Sequence, residues 1–424
     1  MSEWKEVSLK DITELVIDYR GKTPLKLGGE WSNHGYRALS AKNVKTGIIV
    51  AEESIRYVNE DLYKKWMKDE VQKGDILITS EAPFGEVYFW NTDEKIVLSQ
   101  RLFDVRIKKG VCPQYVYYYM TSYQFQAELR SRASGTTVLG LKQPELLKTK
   151  VILPDYETQV KIAGQLSEID SKIENNRKIC ANLEAQAQAL FKHWFIDFAP
   201  FKDGKFVESE LGMIPEGWRV GTYSDIIKDT ISGDWGKDSS VGNYNHKVAC
   251  IRGCDFQDVK MGLRGKTPER FILEKNFQSK HFENKDVLVE ISGGTATVST
   301  GRVCPVSQLL INRYNGDVVC TNFCKLIRPI EGYSSYLYYS WKYKYDRKVM
   351  FGYENGTSGI KNFSIKDFTT REPLVLPTLT ALNEFEGMIE HIHTQIQNCG
   401  SESSKLAVIR DTLLPKLMSG EIKV

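Results

Sequence analysis

Residues 154–198 read PDYETQVKIAGQLSEIDSKIENNRKICANLEAQAQALFKHWFIDF. Within them Ile162, Leu166, Ile169, Ile173, Asn176, Cys180, Leu183, Ala187, Leu190 and Trp194 recur at alternating intervals of four and three. An apolar repeat averaging 3.5 residues is the seam of a coiled coil. Phe385, Ile389, Ile392, Ile396, Cys399, Ser403, Leu406, Arg410, Leu413 and Leu417 repeat that spacing, each 223 residues after its counterpart. Pro154 and Pro377 stand where a proline commonly precedes a helix. Two long helices are therefore expected, at about 157–196 and 380–418. As each occurs once, the economical partner of either is the other. The alternative is two amphipathic helices packed separately, each on its own module. Asn176, Ser403 and Arg410 interrupt the seam with polar groups, which cost stability but can fix register.

Working outward, the helices close two halves of one internal repeat. Trp4-Lys-Glu-Val-Ser-Leu-Lys-Asp-Ile12 is echoed by Trp218-Arg-Val-Gly-Thr-Tyr-Ser-Asp-Ile226, and Lys73-Gly-Asp-Ile-Leu-Ile78 by Asn284-Lys-Asp-Val-Leu-Val289. Ala133-Ser-Gly-Thr-Thr137 followed by Lys150-Val-Ile-Leu-Pro154 returns as Glu354-Asn-Gly-Thr-Ser358 followed by Pro373-Leu-Val-Leu-Pro377. Each half opens with short β-branched and aromatic runs broken by Gly, Asn and Asp turns, the texture of a mixed module. The polar, Gly- and Pro-punctuated stretch after Pro200 reads as a linker. The expected division is 1–153 first module, 154–199 first helix, 200–214 linker, 215–376 second module, 377–424 second helix and tail. The fold class is α+β: two similar mixed α/β modules separated by two long helices. If the helices run antiparallel, the repeat has an approximate two-fold axis across the seam.

The chain of 424 residues, with 41% hydrophobic and 26% charged residues, can build several packed cores and is not a disordered or low-complexity protein. No run approaches the roughly 18 apolar residues of a membrane span, and the start, MSEWKEVSLKD, is charged where a secretory signal is apolar. A cytoplasmic protein with reduced thiols is expected, since eight cysteines are too few for a disulfide scaffold. Residues 1–154 carry 23 basic against 20 acidic residues, and 215–376 carry 23 against 18. The excess suits modules that face a polyanion, although a solvated surface often shows as much. Duplex DNA is pseudo-two-fold, so two basic modules joined by a spacer suit two half-sites separated by unread bases.

Three segments give this arrangement a family. Ala189-Leu-Phe-Lys-His-Trp-Phe-Ile-Asp-Phe198, Glu210-Leu-Gly-Met-Ile-Pro-Glu-Gly-Trp218 and Leu413-Leu-Pro-Lys-Leu-Met-Ser-Gly-Glu-Ile422 resemble the central and C-terminal regions of the specificity subunits of type I restriction–modification enzymes, and the resemblance runs the whole length of the chain. It implies that the modules are target recognition domains reading a bipartite double-stranded DNA target. It also implies that the helices are the spacer and the docking surface for two methyltransferase subunits, through which motor-nuclease subunits join. It implies no cofactor, no metal and no catalytic residue in this chain. The bases read do not transfer from the resemblance.

Phosphate contacts come from Lys, Arg, hydroxyls and backbone amides, whereas base edges favour Arg for guanine and Asn or Gln for adenine. The loops rich in these types supply Arg20 and Lys22, then Ser40, Lys42 and Asn43, then Ser80, then Arg101, and finally Thr136, Thr137 and Lys142. The repeat pairs them with Lys237, with Arg252 and Asp255, with Ser292, with Asn322, and with Thr357, Ser358 and Lys361. Any one such loop taken alone reads as a solvated turn; their occurrence in both halves is what favours a shared binding face. The tyrosines at 115, 118 and 119 and at 336, 339 and 343 have helical spacing and read as packing rather than base-stacking residues. Cys250/Cys254 and Cys320/Cys324 resemble zinc half-sites, but they are loosely spaced and lack equivalents in the first half, so buried thiols are the plainer reading.

Catalysis finds no support in the sequence. It contains no Asn-Pro dipeptide, so the Asn-Pro-Pro-aromatic motif of adenine methyltransferases is missing, and it has no phosphate loop of the Gly-x-x-x-x-Gly-Lys-Ser/Thr type. Asp155 beside Pro154 reads as a helix cap. The rival readings are a coiled-coil scaffold joining two protein-binding modules and the specificity subunit of a methylation-only system.

Overall fold

The computed structural model describes residues 4–295, 297–356 and 361–424. It is α+β. Two helices of 40 residues, Tyr156–Phe195 and Leu379–Met418, start and stop 223 residues apart, as their seam spacing requires. The Asp155 carboxylate accepts from the Thr158 amide and hydroxyl, both at 2.9 Å, and so satisfies donors that an uncapped first turn leaves free. None of the twenty seam positions is exposed.

The chain forms two compact units, and their boundary cuts both helices. One unit comprises Met1–Ser171 with Ala407–Val424, the other Lys172–Leu406. In the first, a four-stranded antiparallel sheet runs in the order Thr13–Asp18, Leu102–Ile107, Ile76–Thr79, Val87–Phe89. A three-stranded sheet places Tyr36–Leu39 between Arg56–Val58 and Ile96–Leu98, parallel to the latter. Lys5–Ser8 pairs with Lys150–Leu153, so the module closes on itself just before the helix begins.

The second unit repeats this topology. Its four-stranded sheet runs Ile227–Ser232, Cys324–Pro329, Val287–Glu290, Val303–Pro305. Tyr244–Ile251 lies between Glu269–Leu273 and Val318–Cys320, again parallel to the latter, and Arg219–Thr222 pairs with Pro373–Leu376. The stretch after Pro200 is structured: Phe206–Ser209 and Gly212–Pro215 form an antiparallel hairpin, and Phe201 packs edge-on against Trp218 at 4.9 Å. Its polar composition gave the expectation of a linker, and the polar residues prove to be the outward faces and turn of the hairpin.

Repeated sequence gives repeated interactions. Asp75 accepts from the Gln72 amide and pairs with Arg106 at 2.7 Å; Asp286 accepts from the Glu283 amide and pairs with Arg328 at 3.1 Å. The tyrosines expected to pack do so. Tyr115, Tyr118 and Tyr119 are buried on the helix Pro113–Thr121, and Tyr336 and Tyr339 on Ser334–Asp346, while Tyr343 is half-buried. The Tyr115 hydroxyl donates to the Ile152 carbonyl, and that of Tyr336 to the Val375 carbonyl. Cys250, Cys320 and Cys324 are buried, which pushes their thiols up, and Cys254 is exposed.

Each core includes the end of the other repeat's helix. In the first unit Leu417 and Met418 are buried with Ile162, Leu166 and Tyr115, and Ile422 and Val424 pack beside them. In the second, Ala187, Phe191 and Phe195 are buried with Tyr336, Phe385 and Ile389. The helix segments pair antiparallel within each unit. Asn176 donates to Glu402 at 2.7 Å while Cys180 lies on the Ile396 carbonyl, so partner numbers fall as residue numbers rise. In the first unit Arg410 joins Asp170 at 2.8 Å, and Asp170 also accepts from the Tyr118 hydroxyl. Two of the polar interruptions thus pair across the seam, whereas the Ser403 hydroxyl donates to Cys399 of its own helix.

Asp104 breaks the symmetry of the sheets. It lies opposite Leu77, whereas Leu326 holds the corresponding place opposite Leu288. Asp104 is fully buried, with the Asp75 carboxylate as its polar neighbour. Burial and the neighbouring Asp75 hold its carboxyl well above the usual carboxylate range. A carboxyl raised in the folded state opposes folding increasingly as pH climbs above the unfolded value. Asp104→Asn is therefore expected to raise the melting temperature at pH 8, and the gain to fade toward pH 4; melting curves across that range check it. Arg106→Ala, which strands buried Asp75 beside Asp104, should cost about 3–5 kcal/mol in urea denaturation.

Candidate nucleic-acid interface

The candidate loops of the first unit are brought onto one connected surface by main-chain hydrogen bonds. The Ala41 amide donates to Gln100 O at 3.0 Å, Ser99 N to Leu39 O at 2.8 Å, Ser80 N to Arg101 O at 2.9 Å, and Leu141 N to Ser80 O at 3.0 Å. The Arg20 guanidinium completes the chain by donating to the Leu141 carbonyl at 3.1 Å. Loops distant in sequence therefore hold one another in place. Between them lies a cleft of about 270 Å3 that includes Trp31, Lys42, Arg56, Gln100 and Arg101. Three cations and an aromatic ring on one concave face suit a polyanion with planar groups.

The second unit repeats the linkage in the same register. Thr321 N donates to Ile251 O at 3.0 Å, Ile291 N to Phe323 O at 2.9 Å, and Phe363 N to Ile291 O at 2.9 Å. Ser99, Arg101, Ser80 and Leu141 correspond to Thr321, Phe323, Ile291 and Phe363. Gly233 fits here because a Cβ at that position would lie 2.1 Å from Thr321 O.

The candidate side chains divide by what they already hold. Thr136, Thr137, Lys142, Lys42, Lys237 and Asn322 are exposed. Arg101 is half exposed and pairs with Glu81 at 2.9 Å. Arg20 pairs with Asp18 at 2.8 Å and lies 4.0 Å over the Phe103 ring, and the Lys22 ammonium donates to Trp66 O at 2.6 Å. Burial lowers the Lys22 ammonium below its ordinary range. Ser80, Asn43 and Asp255 are buried. Asn43 accepts from the Ser40 amide and hydroxyl, and Asp255 from the Arg252 amide and guanidinium, so these four residues form equivalent caps on short 3-10 turns. Ser292 sits in a strand pair with Asn362. Thr357 and Ser358 lie outside the described residues.

Lys142 and Lys361 are not structural counterparts. Lys142 directly precedes the helix Gln143–Leu147, the place that Ser364 takes before Ile365–Arg371. Lys361 instead pairs with Gly294 in a strand and its ammonium meets Glu354 at 2.9 Å. Matching lysines after Gly-Thr motifs suggested a shared loop, but the strand pairing sets a different register.

Sequence reasoning passed over Trp31, Arg56, Glu81, Arg270 and Phe323. Arg56 lies 5.1 Å from the Trp31 ring centre and Arg270 4.2 Å from that of Trp235. The partners of each stack are far apart in sequence, so spacing gives no signal. Phe323 adjoins Asn322 but has no polar group to suggest it. Among the described residues no group of His, Cys, Asp and Glu is placed to hold a metal, and no helix is long and apolar enough to cross a membrane.

Residues 1–185 match the family model for the type I restriction modification DNA specificity domain. The whole chain aligns at 27% identity with the type I restriction enzyme MjaIX specificity subunit of Methanocaldococcus jannaschii, over 94% of that protein. The HindI specificity subunit of Haemophilus influenzae is 23% identical over the full length of both chains. The chain is thus similar to type I specificity subunits, over its first 185 residues by the family model and over its whole length by these relatives. The crystal structure of the type I restriction–modification system S subunit from M. genitalium shares the fold, with a TM-score of 0.57 at 15% identity over 98% of this chain and 96% of that one.

Gly233→Ala is expected to push the Thr321–Phe323 loop from its seat, at a cost of about 1–3 kcal/mol as for other overpacked sites. The melting temperature should fall, whereas Gly387→Ala, within the helix Leu379–Met418 with no positive φ and no atom within 4 Å of its Cβ, should not lower it.

Proposed function

We propose that the chain is the non-catalytic DNA-recognition subunit of a type I restriction–modification complex, in which each module reads one half of a bipartite target. The two long helices serve as the spacer and as the docking surface for two methyltransferase subunits, through which motor-nuclease subunits join. The observation that carries this reading is the recurrence of one loop set, in one hydrogen-bond register, in both units. A fold used twice presents the same surface twice, which two half-sites require. The exposed Lys42, Lys142 and Lys237 supply phosphate contacts, and the exposed hydroxyls of Thr136 and Thr137 supply hydrogen bonds to phosphate or base.

Duplex binding measured at several salt concentrations, with and without the methyltransferase subunit, tests the reading. Binding should be strongest with that subunit present. Lys142→Ala should lower the slope of log affinity against log salt by about one. Lys361→Ala should change it less, because its ammonium already meets Glu354. Salt-independent association, or none, would favour a scaffold joining two protein-binding modules.

Removing one heptad from each helix shortens it by about 10 Å, which is about three base pairs at roughly 3.4 Å each. The unread gap in the methylation motif should contract accordingly, and an unchanged gap in a stable double deletion would reject the spacer role.

A further inference from the structure

Within that proposed function, the correspondence between the two loop sets shows where the modules differ chemically. Ser80 and Ile291 hold the same place in the linkage, and so do Arg101 and Phe323. The next residues after the first pair are Glu81 and Ser292. The first module thus carries an ion pair, Glu81 with Arg101 at 2.9 Å, where the second carries a serine and a phenylalanine. Both halves of the pair change together while the amide-to-carbonyl bond beneath them recurs, with a positive φ at Arg101 and none at Phe323.

The two side chains are held out to solvent on fixed main chain. The carbonyl of each residue is anchored by an amide at 2.9 Å. Arg101 adopts the left-handed conformation, with φ of 64°, and half of its side chain is exposed. Phe323 is 62% exposed. A ring held out on an anchored loop is available to a ligand, and what it offers is apolar contact alone.

We propose that positions 101 and 323 each set the base preference at one position of the half-site their module reads. Arg101 donates in bidentate fashion to O6 and N7 of a guanine, with Glu81 orienting the guanidinium. Phe323 has neither donor nor acceptor, so the major-groove feature it selects is the thymine C5 methyl group. The two half-sites consequently differ in kind at this position, guanine in one and thymine in the other.

The full-length chain, with its methyltransferase subunit, is challenged with a randomised duplex pool, and the selected motif is compared for wild type, Arg101→Ala and Phe323→Ala. Arg101→Ala should relax one guanine in one half-motif, with discrimination falling tenfold or more. Phe323→Ala should relax one thymine in the other half. Replacing that thymine by uracil in a defined duplex should weaken the wild type severalfold and leave Phe323→Ala unaffected. The double exchange Glu81→Ser with Arg101→Phe should move the first module's preference at that position from guanine toward thymine. Both positions are exposed, and unchanged melting temperatures separate loss of reading from loss of fold. If both variants select the wild-type motif unaltered, the assignment is overturned while the proposed function stands. If the wild type itself selects no motif, the proposed function falls and this inference with it.

Discussion

The structure depends on burying each helix end in a core built largely from the other repeat. Phe191 and Phe195 sit among Tyr336 and Phe385, with ring centres of Phe195 and Phe385 4.9 Å apart, and Leu417 and Met418 sit with Ile162, Leu166 and Tyr115. Large buried aromatic and aliphatic groups of this kind contribute about 2–3 kcal/mol each. Neither module therefore has a complete core until both helices have formed and paired. Two of the three segments that carry the family resemblance, Ala189–Phe198 and Leu413–Ile422, are those helix ends and the turn beyond them, so a packing requirement accounts for their distinctive composition.

That dependence explains why the helices were legible in the sequence. A heptad spacing kept over ten positions demands a continuous helix whichever surface it packs on, and its 223-residue recurrence fixed both helices to within a residue or two. The modules were legible as a repeat for the same reason, since Asp75 with Arg106 and Asp286 with Arg328 demand matching positions on neighbouring strands. The spacing between repeats is not constant: it is 212 at Leu39 and Ile251 but 222 at Ser99 and Thr321. The helix Gln308–Arg313, which the first unit lacks between Val87–Phe89 and Ile96–Leu98, accounts for part of that shift, and a longer connection before Val303–Pro305 accounts for the rest. Pairing Lys142 with Lys361 by motif alone failed because the strand register sets correspondence there.

The candidate interface was half legible. Composition picked out loops that main-chain hydrogen bonds do join, because polar, glycine-containing segments at equivalent places mark turns. It did not separate side chains that shape a loop from those that face out of it. Asn43 and Asp255 have the base-reading chemistry of amides and carboxylates, yet the same groups make the best caps for a short turn. Capping leaves them buried, with oxygens already accepting from residues 40 and 252. Phe323 is the opposite case, a residue whose type suggests a core and whose position is at the surface.

Caps and tips together suggest how such a module can change what it reads without refolding. The amide-to-carbonyl bonds among the loops involve no side chain, so the scaffold tolerates arginine at 101 and phenylalanine at 323 with donor–acceptor distances that agree to within about 0.2 Å across the repeat. A side chain borne on such main chain is free to vary because nothing in the fold requires its chemistry, whereas Asp75, Arg106 and the capping residues are constrained by buried partners. On the proposed function, recognition and packing in this chain are separable at the level of individual atoms: the tip side chains are left for the ligand, and main-chain bonds fix where the tips stand.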